Sequence, residues 1–465
     1  MPTSPAAHGK PTSGEPARVE SSDGARPASR QKRDGTPALS ASLLVIAPLP
    51  KPARDGHDYR VLLLKRHEKS STYQNAFVFP GGNVDPIDRD VAAWSSMFPS
   101  LMPFTAGVPT DPTVTTDTSA SSASTTLSEA EMQTVKMCAI RETFEESGVL
   151  LFEPNAPQGA QGSLPSPDAE RRWNQVGEKQ KTEWRERVHK NGRDFVRLFE
   201  EQVGQGARPA VTRLTHWANW VTPVMLPRRF DTHFFITVLP SSTSPASSAT
   251  DAEQTPYYKL ASSDGVETSI AEWLTPTQAI RRALAHTANL SVPDTTPTYA
   301  PQPHSMGDNP ANSIILHPPQ FYLLAELAHN HKSYHSLLVS ASTSSQEGSR
   351  VARLVRPRTV KSFTPQIGRV RDLSGTDRAA TLLPGDVAYN DSSSPDRLDK
   401  QGRVVHHGEI DTSKGPKHRT YVVPPNERTQ GLTVLGVHRE GLGGDFGPGW
   451  EDMSAGEIGT SKSKL

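Results

Sequence analysis

Three closely spaced carboxylates constrain this chain more than any other feature of its sequence. Glu142, Glu145 and Glu146 stand at i, i+3 and i+4, so on a helix they project from one face. Like charges this close destabilise a helix, and the pattern therefore favours a cation held between them. Carboxylate oxygens are the ligands that Mg²⁺ and Mn²⁺ prefer. A solvated acidic helix face is the alternative, and the three glutamates alone leave both interpretations open.

The residues around this triplet predict one helix and its two ends. Ser128 followed by Glu131 has the pattern of a capping box. Gly148 is suited to end the helix, since glycine adopts the left-handed conformation that follows a last turn. We therefore predict a helix from Glu129 to Ser147.

A pair of glycines lies upstream of the helix. Gly81 and Gly82 follow the short apolar run that ends in Phe79 and Pro80. Adjacent glycines mark a tight loop in which the backbone can approach a ligand or a metal closely.

Together these segments resemble the Nudix box, whose pattern is Gly, five residues, Glu, seven residues, then Arg-Glu-apolar-x-Glu-Glu-x-Gly-apolar. Gly82 matches the opening glycine. The closing half is matched by Arg141, Glu142, Glu145, Glu146, Gly148 and Val149. The sequence departs from this pattern in three ways. Asp88 replaces the first Glu, Thr143 occupies an apolar position, and 52 residues stand between Asp88 and Arg141 where the pattern has seven. We interpret residues 89–127 as a surface insertion.

The resemblance implies an α/β fold, the Nudix α/β/α sandwich with a mixed sheet, here with a helical elaboration and several disordered insertions. It implies a catalytic set of Glu142, Glu145, Glu146 and Arg141 and a metal site of the three glutamates with the Gly82 carbonyl. Arg141 is expected to point away from the metal face and to pair with Asp88. Gly81, Asp88 and Gly148 are expected to shape the loop and the helix end.

A second resemblance concerns the substrate. Leu62, Leu63, Leu64 and Arg66, together with 79–82, resemble the signature of the peroxisomal coenzyme A diphosphatases, a Nudix branch. The middle of that signature departs, with His67, Ser71 and Asn75 at its Ser, Arg and Gly positions. The resemblance implies hydrolysis of the diphosphate bond of coenzyme A or acyl-coenzyme A to adenosine 3′,5′-bisphosphate and (acyl-)phosphopantetheine, with Mg²⁺ or Mn²⁺ as cofactor.

Four basic residues are candidates for binding the substrate phosphates. Arg66 and Lys69 end and follow a predicted strand, and a solvated strand end is an equally good interpretation. Arg228 and Arg229 precede a predicted strand whose sequence resembles the acyl-coenzyme A diphosphatases, and a surface role is the alternative. Glu267 or Glu272 is a further candidate for an additional catalytic carboxylate.

Two other functions remain open at this point. One is a Nudix diphosphatase that acts on NADH, ADP-ribose or another nucleoside diphosphate derivative. The other is a non-catalytic nucleotide-binding protein.

Composition limits how much of the chain folds. Of 465 residues, 41 are Pro and 33 are Gly, and only 34% are hydrophobic. We expect a disordered segment at 1–38, a Nudix domain at 39–340 with insertions at about 89–127, 154–212 and 240–256, and a poorly ordered region with possible short strands at 341–465. Equal numbers of basic and acidic residues, 50 each, give no general attraction to nucleic acid, and no apolar run is long enough for a membrane span.

The last three residues carry a targeting signal. Ser463, Lys464 and Leu465 form the peroxisomal address, which a soluble import receptor reads. We therefore expect a peroxisomal location and that receptor as a partner, with a mitochondrial or cytoplasmic location as the alternative.

Overall fold

The structure is a computed structural model and describes residues 36–70, 73–98, 127–154, 167–204, 206–239, 261–289, 313–339, 353–354, 360, 362–371, 377–389, 415–423 and 432–440. Residues 1–35, most of the first insertion, the whole 240–256 insertion and the tail Ser463–Leu465 lie outside these ranges, so the expectations for them stay predictions.

The described chain contains both strands and helices. The strands are β1 (Ala38–Pro48), β2 (Tyr59–Arg66), β3 (Phe77–Val78), β4 (Gly81–Asn83), β5 (Phe152–Pro154), β6 (Ala207–Pro209), β7 (Thr215–Val221), β8 (Phe230–Val238), β9 (Thr268–Leu274), β10 (Leu338–Val339), β11 (Arg353–Leu354), β12 (Ser362–Phe363), β13 (Gln366–Arg371), β14 (Asp377–Leu382), β15 (Lys417–Val423) and β16 (Thr433–Glu440). The helices are α1 (Val91–Trp94), α2 (Glu129–Ser147), α3 (Pro167–Gln175), α4 (Glu178–Lys190), α5 (Arg193–Leu198), α6 (Pro276–Asn289) and α7 (Pro318–Asn330).

A mixed sheet forms the centre of the domain. Its strand order is β12-β7-β8-β1-β2-β3, with β4 paired to β1 and β9 paired to β2. The β1–β8 pair is parallel, whereas β1–β2 and β2–β9 are antiparallel.

Two apolar runs joined by a polar turn predict a hairpin of β1 and β2. The structure confirms it, but the strands pair over a short distance only. The pairs run from Ile46 with Val61 to Pro48 with Tyr59. Before Ile46 the two strands separate, and β1 pairs with β4 instead, which aligns Ala41 with Gly82. This separation places the glycine pair beside the middle of the sheet.

Helices cover both faces of the sheet, because successive side chains of β1 pack into different cores. Leu43 and Val45 face a core shared with α1 to α5, whereas Leu44 and Ile46 face a second core shared with α6 and α7. The predicted α/β/α sandwich with a mixed sheet is therefore confirmed.

The predicted helical elaboration is also present. An Asn-Gly pair such as Asn191-Gly192 is typical of a helix break. Helix α4 ends at Lys190 and α5 begins at Arg193, so the two helices are interrupted there. The Phe195 ring stacks on Phe144 of α2 at a centroid distance of 5.9 Å, and Trp173 meets the same ring edge-on at 6.0 Å. Aromatic packing thus attaches the elaboration to α2.

The C-terminal part is more regular than the sequence indicated. Strands β13, β14, β15 and β16 form an antiparallel sheet, and Val434 and Val437 of β16 join the core of α6 and α7. The sequence showed only possible short strands because several buried side chains here are polar, among them Arg419, Thr420 and His418.

A search of the helices in the described ranges finds none with the length and apolar character that a membrane crossing requires.

The C-terminal sheet contains a buried ion pair whose loss should destabilise the protein. Asp386 accepts from Arg419 Nε at 2.6 Å and Nη2 at 2.8 Å, and both side chains are fully buried. We expect Asp386→Ala to lower the free energy of unfolding by about 3–5 kcal/mol, because it leaves an uncompensated buried guanidinium. Urea denaturation measures the change.

The matched control is Asp377→Ala in the same sheet, where Asp377 faces Arg371 at 3.7 Å with both side chains more than half exposed. An exposed pair of this kind contributes at most about 1 kcal/mol. Equal effects of the two substitutions would contradict the importance of the buried pair.

Candidate active site

Helix α2 is fixed at both ends by its own sequence. The Ser128 N–H donates to Glu131 Oε2 at 2.8 Å, and the Glu131 N–H donates back to Ser128 Oγ at 3.3 Å, which completes the predicted capping box. Gly148 ends the helix with φ 73°, a left-handed conformation, as predicted. Thr143 fits its apolar position because its buried hydroxyl donates to the Ala139 carbonyl at 2.7 Å.

The glycine pair approaches α2 and β1 at distances that exclude any side chain. A Cβ on Gly81 would lie 2.3 Å from the Ala41 carbonyl oxygen. A Cβ on Gly82 would lie 2.5 Å from the carboxyl carbon of Glu142. These two positions therefore require glycine, and the loop backbone lies directly against the glutamates.

Glu146 is the most deeply placed of the three glutamates. Its Oε2 accepts from the Gly81 N–H at 2.9 Å. Its Oε1 is buried and has no hydrogen-bond partner. An unpartnered buried carboxylate oxygen is costly, and it indicates a position that a ligand or an ion fills.

Arg141 joins the loop to the helix. Its Nε and Nη2 donate to the two oxygens of Asp88, each at 2.9 Å, which confirms the predicted pairing across the insertion. Its Nη1 lies 2.9 Å from Glu142 Oε1 and 2.7 Å from Glu145 Oε1. The expectation that Arg141 points away from the glutamates is therefore wrong, because the fully buried guanidinium lies among the acids that need its charge.

Glu145 faces two cations. Besides Arg141, it meets His189 of α4, whose Nδ1 lies 3.4 Å from Glu145 Oε2. The hydrogen bond with Glu145 is the main reason why the pKa of His189 is raised.

Burial makes full ionisation of this cluster unfavourable. It raises the pKa of Glu142 to about 8, although the Arg141 charge acts in the opposite direction. Burial and the neighbouring Glu142 raise the pKa of Glu146 well above its usual range. More positive charge is needed at this site before all the carboxylates can ionise together.

The residues present are of the types that fit a divalent cation. Glu142, Glu146 and the Gly82 carbonyl are oxygen donors of the kind that hold Mg²⁺ or Mn²⁺, and Glu146 Oε1 has no hydrogen-bond partner. Among the described residues, no three His, Cys, Asp or Glu side chains already converge on one point. Glu145 is turned toward Arg141 and His189, so it would have to rotate to share an ion with the other two.

The two candidates for an additional catalytic carboxylate, Glu267 and Glu272, lie in different surroundings. Glu267 is exposed, and the next residue, Thr268, donates from Oγ1 to the Glu146 carbonyl at 3.4 Å, so Glu267 lies near the end of α2 that carries the cluster. Glu272 instead forms an ion pair with Arg282 of α6. Of the two candidates, only Glu267 is placed near the other carboxylates.

The four basic candidates occupy different places. Arg66 pairs with Thr268, whose Oγ1 donates to the Glu146 carbonyl at 3.4 Å, so Arg66 lies near the site, and Lys69 follows in an exposed loop. Arg229 donates from Nε to the Thr222 carbonyl at 3.1 Å, and with Arg228 it lies in the β7–β8 turn next to Ala38. That turn and the glycine pair lie beside opposite edges of β1, and they are offset by three residues along the strand, about 10 Å. The phosphate-binding roles of all four stay predictions.

Two residues of α4 were not identified from the sequence. Arg185 donates to the Glu145 carbonyl and His189 meets the Glu145 carboxylate. Each follows a buried apolar residue, Trp184 or Val188, so each lies at the edge of the helix face that packs inward. The helical spacing of these apolar residues indicates that one face of α4 is buried, but it does not show which part of the domain that face contacts.

Comparison with known proteins identifies the family. Residues 32–283 match the family model described as the NUDT19 Nudix domain. An acyl-coenzyme A diphosphatase NUDT19 of Xenopus laevis is 32% identical over 293 residues, which cover 60% of this chain and 62% of that protein. A Gallus gallus protein of the same name is 29% identical over 367 residues, covering 75% and 79%.

The similarity to the Xenopus relative thus spans less than two thirds of its length. Among solved structures, a NUDIX hydrolase from Alicyclobacillus acidocaldarius matches with a TM-score of 0.34 and 19% identity over 63% of this chain and 91% of that one. More than half of the chain matches the family model, and the chain therefore belongs to the Nudix family, in the group that the NUDT19 Nudix domain defines.

Proposed function

We propose that this protein hydrolyses the diphosphate bond of coenzyme A or an acyl-coenzyme A with the help of Mg²⁺ or Mn²⁺. The observation that carries the proposal is the buried glutamate cluster of α2, held against the Gly81-Gly82 backbone with Glu146 Oε1 unpartnered. The names of the relatives from Xenopus and chicken, both acyl-coenzyme A diphosphatases, support the substrate class.

The reaction adds water across the bridge between two phosphorus atoms. The water oxygen bonds to one phosphorus, the bond from that phosphorus to the bridging oxygen breaks, and the bridging oxygen leaves on the second phosphate. The products are adenosine 3′,5′-bisphosphate and (acyl-)phosphopantetheine. A bound divalent cation supplies charge neutralisation at the diphosphate and lowers the pKa of water.

Glu142 and Glu146, with the Gly82 carbonyl, would hold the cation, and Glu145 would join them after leaving His189 and Arg141. Arg141 maintains the arrangement, since its two bonds to Asp88 fix the loop against the helix while Nη1 compensates the charge of Glu142. Binding the ion and fixing the glycine loop beside it are therefore functions of one connected group of side chains.

Glu267 would accept the proton of the attacking water. It is exposed beside the cluster, and it sits in a tight turn in which Asp264 Oδ1 accepts from the N–H groups of Val266 and Thr268 at 3.1 and 2.8 Å. An accessible carboxylate on a fixed turn is suited to general base catalysis.

The proposal is tested with purified protein, coenzyme A and Mg²⁺ or Mn²⁺, with chromatographic separation of the products. We expect release of adenosine 3′,5′-bisphosphate, and Glu146→Gln should lower kcat/KM by at least about 100-fold, equivalent to about 2.7 kcal/mol of transition-state stabilisation. The matched control is Glu129→Gln, an exposed position in the first turn of the same helix.

Three results would contradict this proposal. Cleavage of NADH or ADP-ribose but not of coenzyme A would support diphosphate hydrolysis and reject coenzyme A as the substrate. Binding of nucleotides without turnover would indicate a binding protein. Equal activity of Glu146→Gln and Glu129→Gln would show that the glutamate cluster is not the catalytic site.

The Asp88–Arg141 pair gives a separate expectation. Asp88→Asn removes one acceptor and one charge, so Arg141 interacts more strongly with Glu142 and Glu145 and restrains them. We expect kcat/KM to fall about 10–100-fold, the range for residues that orient metal ligands. Asp90→Asn is the control, since Asn also caps a helix start and Asp90 otherwise faces the exposed Arg193. Unchanged kinetics of Asp88→Asn would contradict the role of the pair.

The role of Glu267 predicts a loss in kcat rather than in binding. Glu267→Gln keeps the shape of the side chain but cannot accept a proton, so kcat should fall about 10²–10⁴-fold with little change in KM. Steady-state kinetics beside Glu272→Gln measure the difference. Similar activity of both variants would exclude Glu267 as the base.

A further inference from the structure

Arg185 connects three parts of the domain through one buried side chain. Its Nε and Nη2 donate to the Glu145 carbonyl at 3.3 and 3.1 Å. Its Nη1 donates to Ser262 Oγ at 2.9 Å, and Nη2 donates also to the Ser262 carbonyl at 3.1 Å. The elaboration helix α4 thereby holds both the last turn of α2 and the loop that precedes β9.

The contact at α2 satisfies a helix end. The Glu145 carbonyl lies in the last turn, where carbonyl groups lack partners within the helix, and a cation there is favourable. Arg185 packs against the end of the helix, since a Cβ at Gly148 would lie 3.4 Å from Arg185 Cδ, an ordinary van der Waals contact. Burial lowers the pKa of Arg185, and the charges of Asp264 and Glu146 act in the opposite direction.

The contact at Ser262 fixes the start of the segment 262–268, which carries Glu267. The Ser262 N–H donates to the Ser147 carbonyl at 3.0 Å, so this residue is attached to the end of α2 in a second way. At the other end, Thr268 Oγ1 donates to Asp264 Oδ1 at 2.9 Å, and the Glu267 carbonyl accepts from the His67 N–H at 2.9 Å. Glu267 thus lies between two anchored points.

We propose that Arg185 is a positioning residue that sets the place of Glu267 relative to Glu142 and Glu146. This inference rests on the proposed function, because it concerns the reaction at that same site. The helical elaboration is then a part of the active site rather than a surface addition. Loss of the Arg185 contacts would leave the start of the segment held by the bond from the Ser262 N–H to the Ser147 carbonyl, so the segment would loosen and the base could shift. Displacement of about 1 Å costs a reaction about 10²-fold.

The test combines Arg185 and Glu267 in a double-mutant cycle with coenzyme A and Mn²⁺, measured in single turnovers with enzyme in excess. We expect Arg185→Ala to lower the maximal single-turnover rate about 10–100-fold with little change in the enzyme concentration that gives half of that rate, since Arg185 donates to the Glu145 carbonyl rather than to its carboxylate. Arg185→Lys should be intermediate, because an ammonium group cannot make the paired bonds of a guanidinium. In the Glu267→Gln background, Arg185→Ala should add little.

Lys179→Ala is the control, an exposed position on the same helix whose nearest described acid is Glu183 at 3.9 Å. Hydrogen exchange in the intact protein gives a second measurement. Exchange of the amides at 262–268 should be faster in Arg185→Ala and in Arg185→Lys, with the sheet unchanged. If the alanine variant does not fold, the lysine variant carries both measurements.

The outcomes separate the two proposals. One outcome is that the unsubstituted protein cleaves coenzyme A, while Arg185→Ala lowers the rate by the same factor whether or not Glu267→Gln is also present. That result would overturn the positioning role and leave the proposed function intact. The same holds if Glu267→Gln retains full activity. No turnover of coenzyme A by the unsubstituted protein would remove the proposed function and the positioning role together.

Discussion

The arrangement of the site depends on one buried guanidinium. Arg141 is surrounded by Asp88, Glu142 and Glu145, and each of these acids is within 2.9 Å of one of its nitrogens. Without that cation the carboxylates could not be buried together, because each would lose its hydration and repel the others. The same side chain holds the glycine loop to α2, so charge compensation and loop geometry have a common origin.

This connection explains how the chain tolerates a long insertion within its motif. The insertion leaves after Asp88, whose carboxylate already bonds to Arg141 and to the Asp85 N–H at 2.8 Å. It returns at the capped start of α2, at the other end of that helix from the glutamates. Both attachment points are fixed locally, and the length of the intervening segment does not change the geometry of the acids.

Local sequence signals predicted those parts of the fold that local interactions determine. The limits of α2 follow from Ser128 and Gly148, and the β1–β2 hairpin follows from two apolar runs around a polar turn. The glutamates, the glycine pair and the Asp88–Arg141 contact were predicted through a motif. The orientation of Arg141 toward the glutamates was not, since it depends on burial that the sequence does not display.

Contacts between distant segments were beyond such signals. Arg185 reaches Ser262 across 77 positions, and a charged helix face gives no indication of that partner. The C-terminal sheet was underestimated for a related reason, because Arg419 and His418 are polar in the sequence but are buried with Asp386 and Tyr322 as partners. Pairing of polar groups in the interior is a property of the folded chain that composition does not reveal.

The most direct test of the account is a titration of the purified protein with Mn²⁺ alone, followed by electron paramagnetic resonance of the free ion. The central claim is that the buried carboxylates of α2 form a cation site. It predicts saturable Mn²⁺ binding that Glu142→Gln and Glu146→Gln each weaken at least about tenfold, equivalent to about 1.4 kcal/mol, while Glu129→Gln binds like the unsubstituted protein. Absent binding, or equal binding by all four proteins, would contradict the claim.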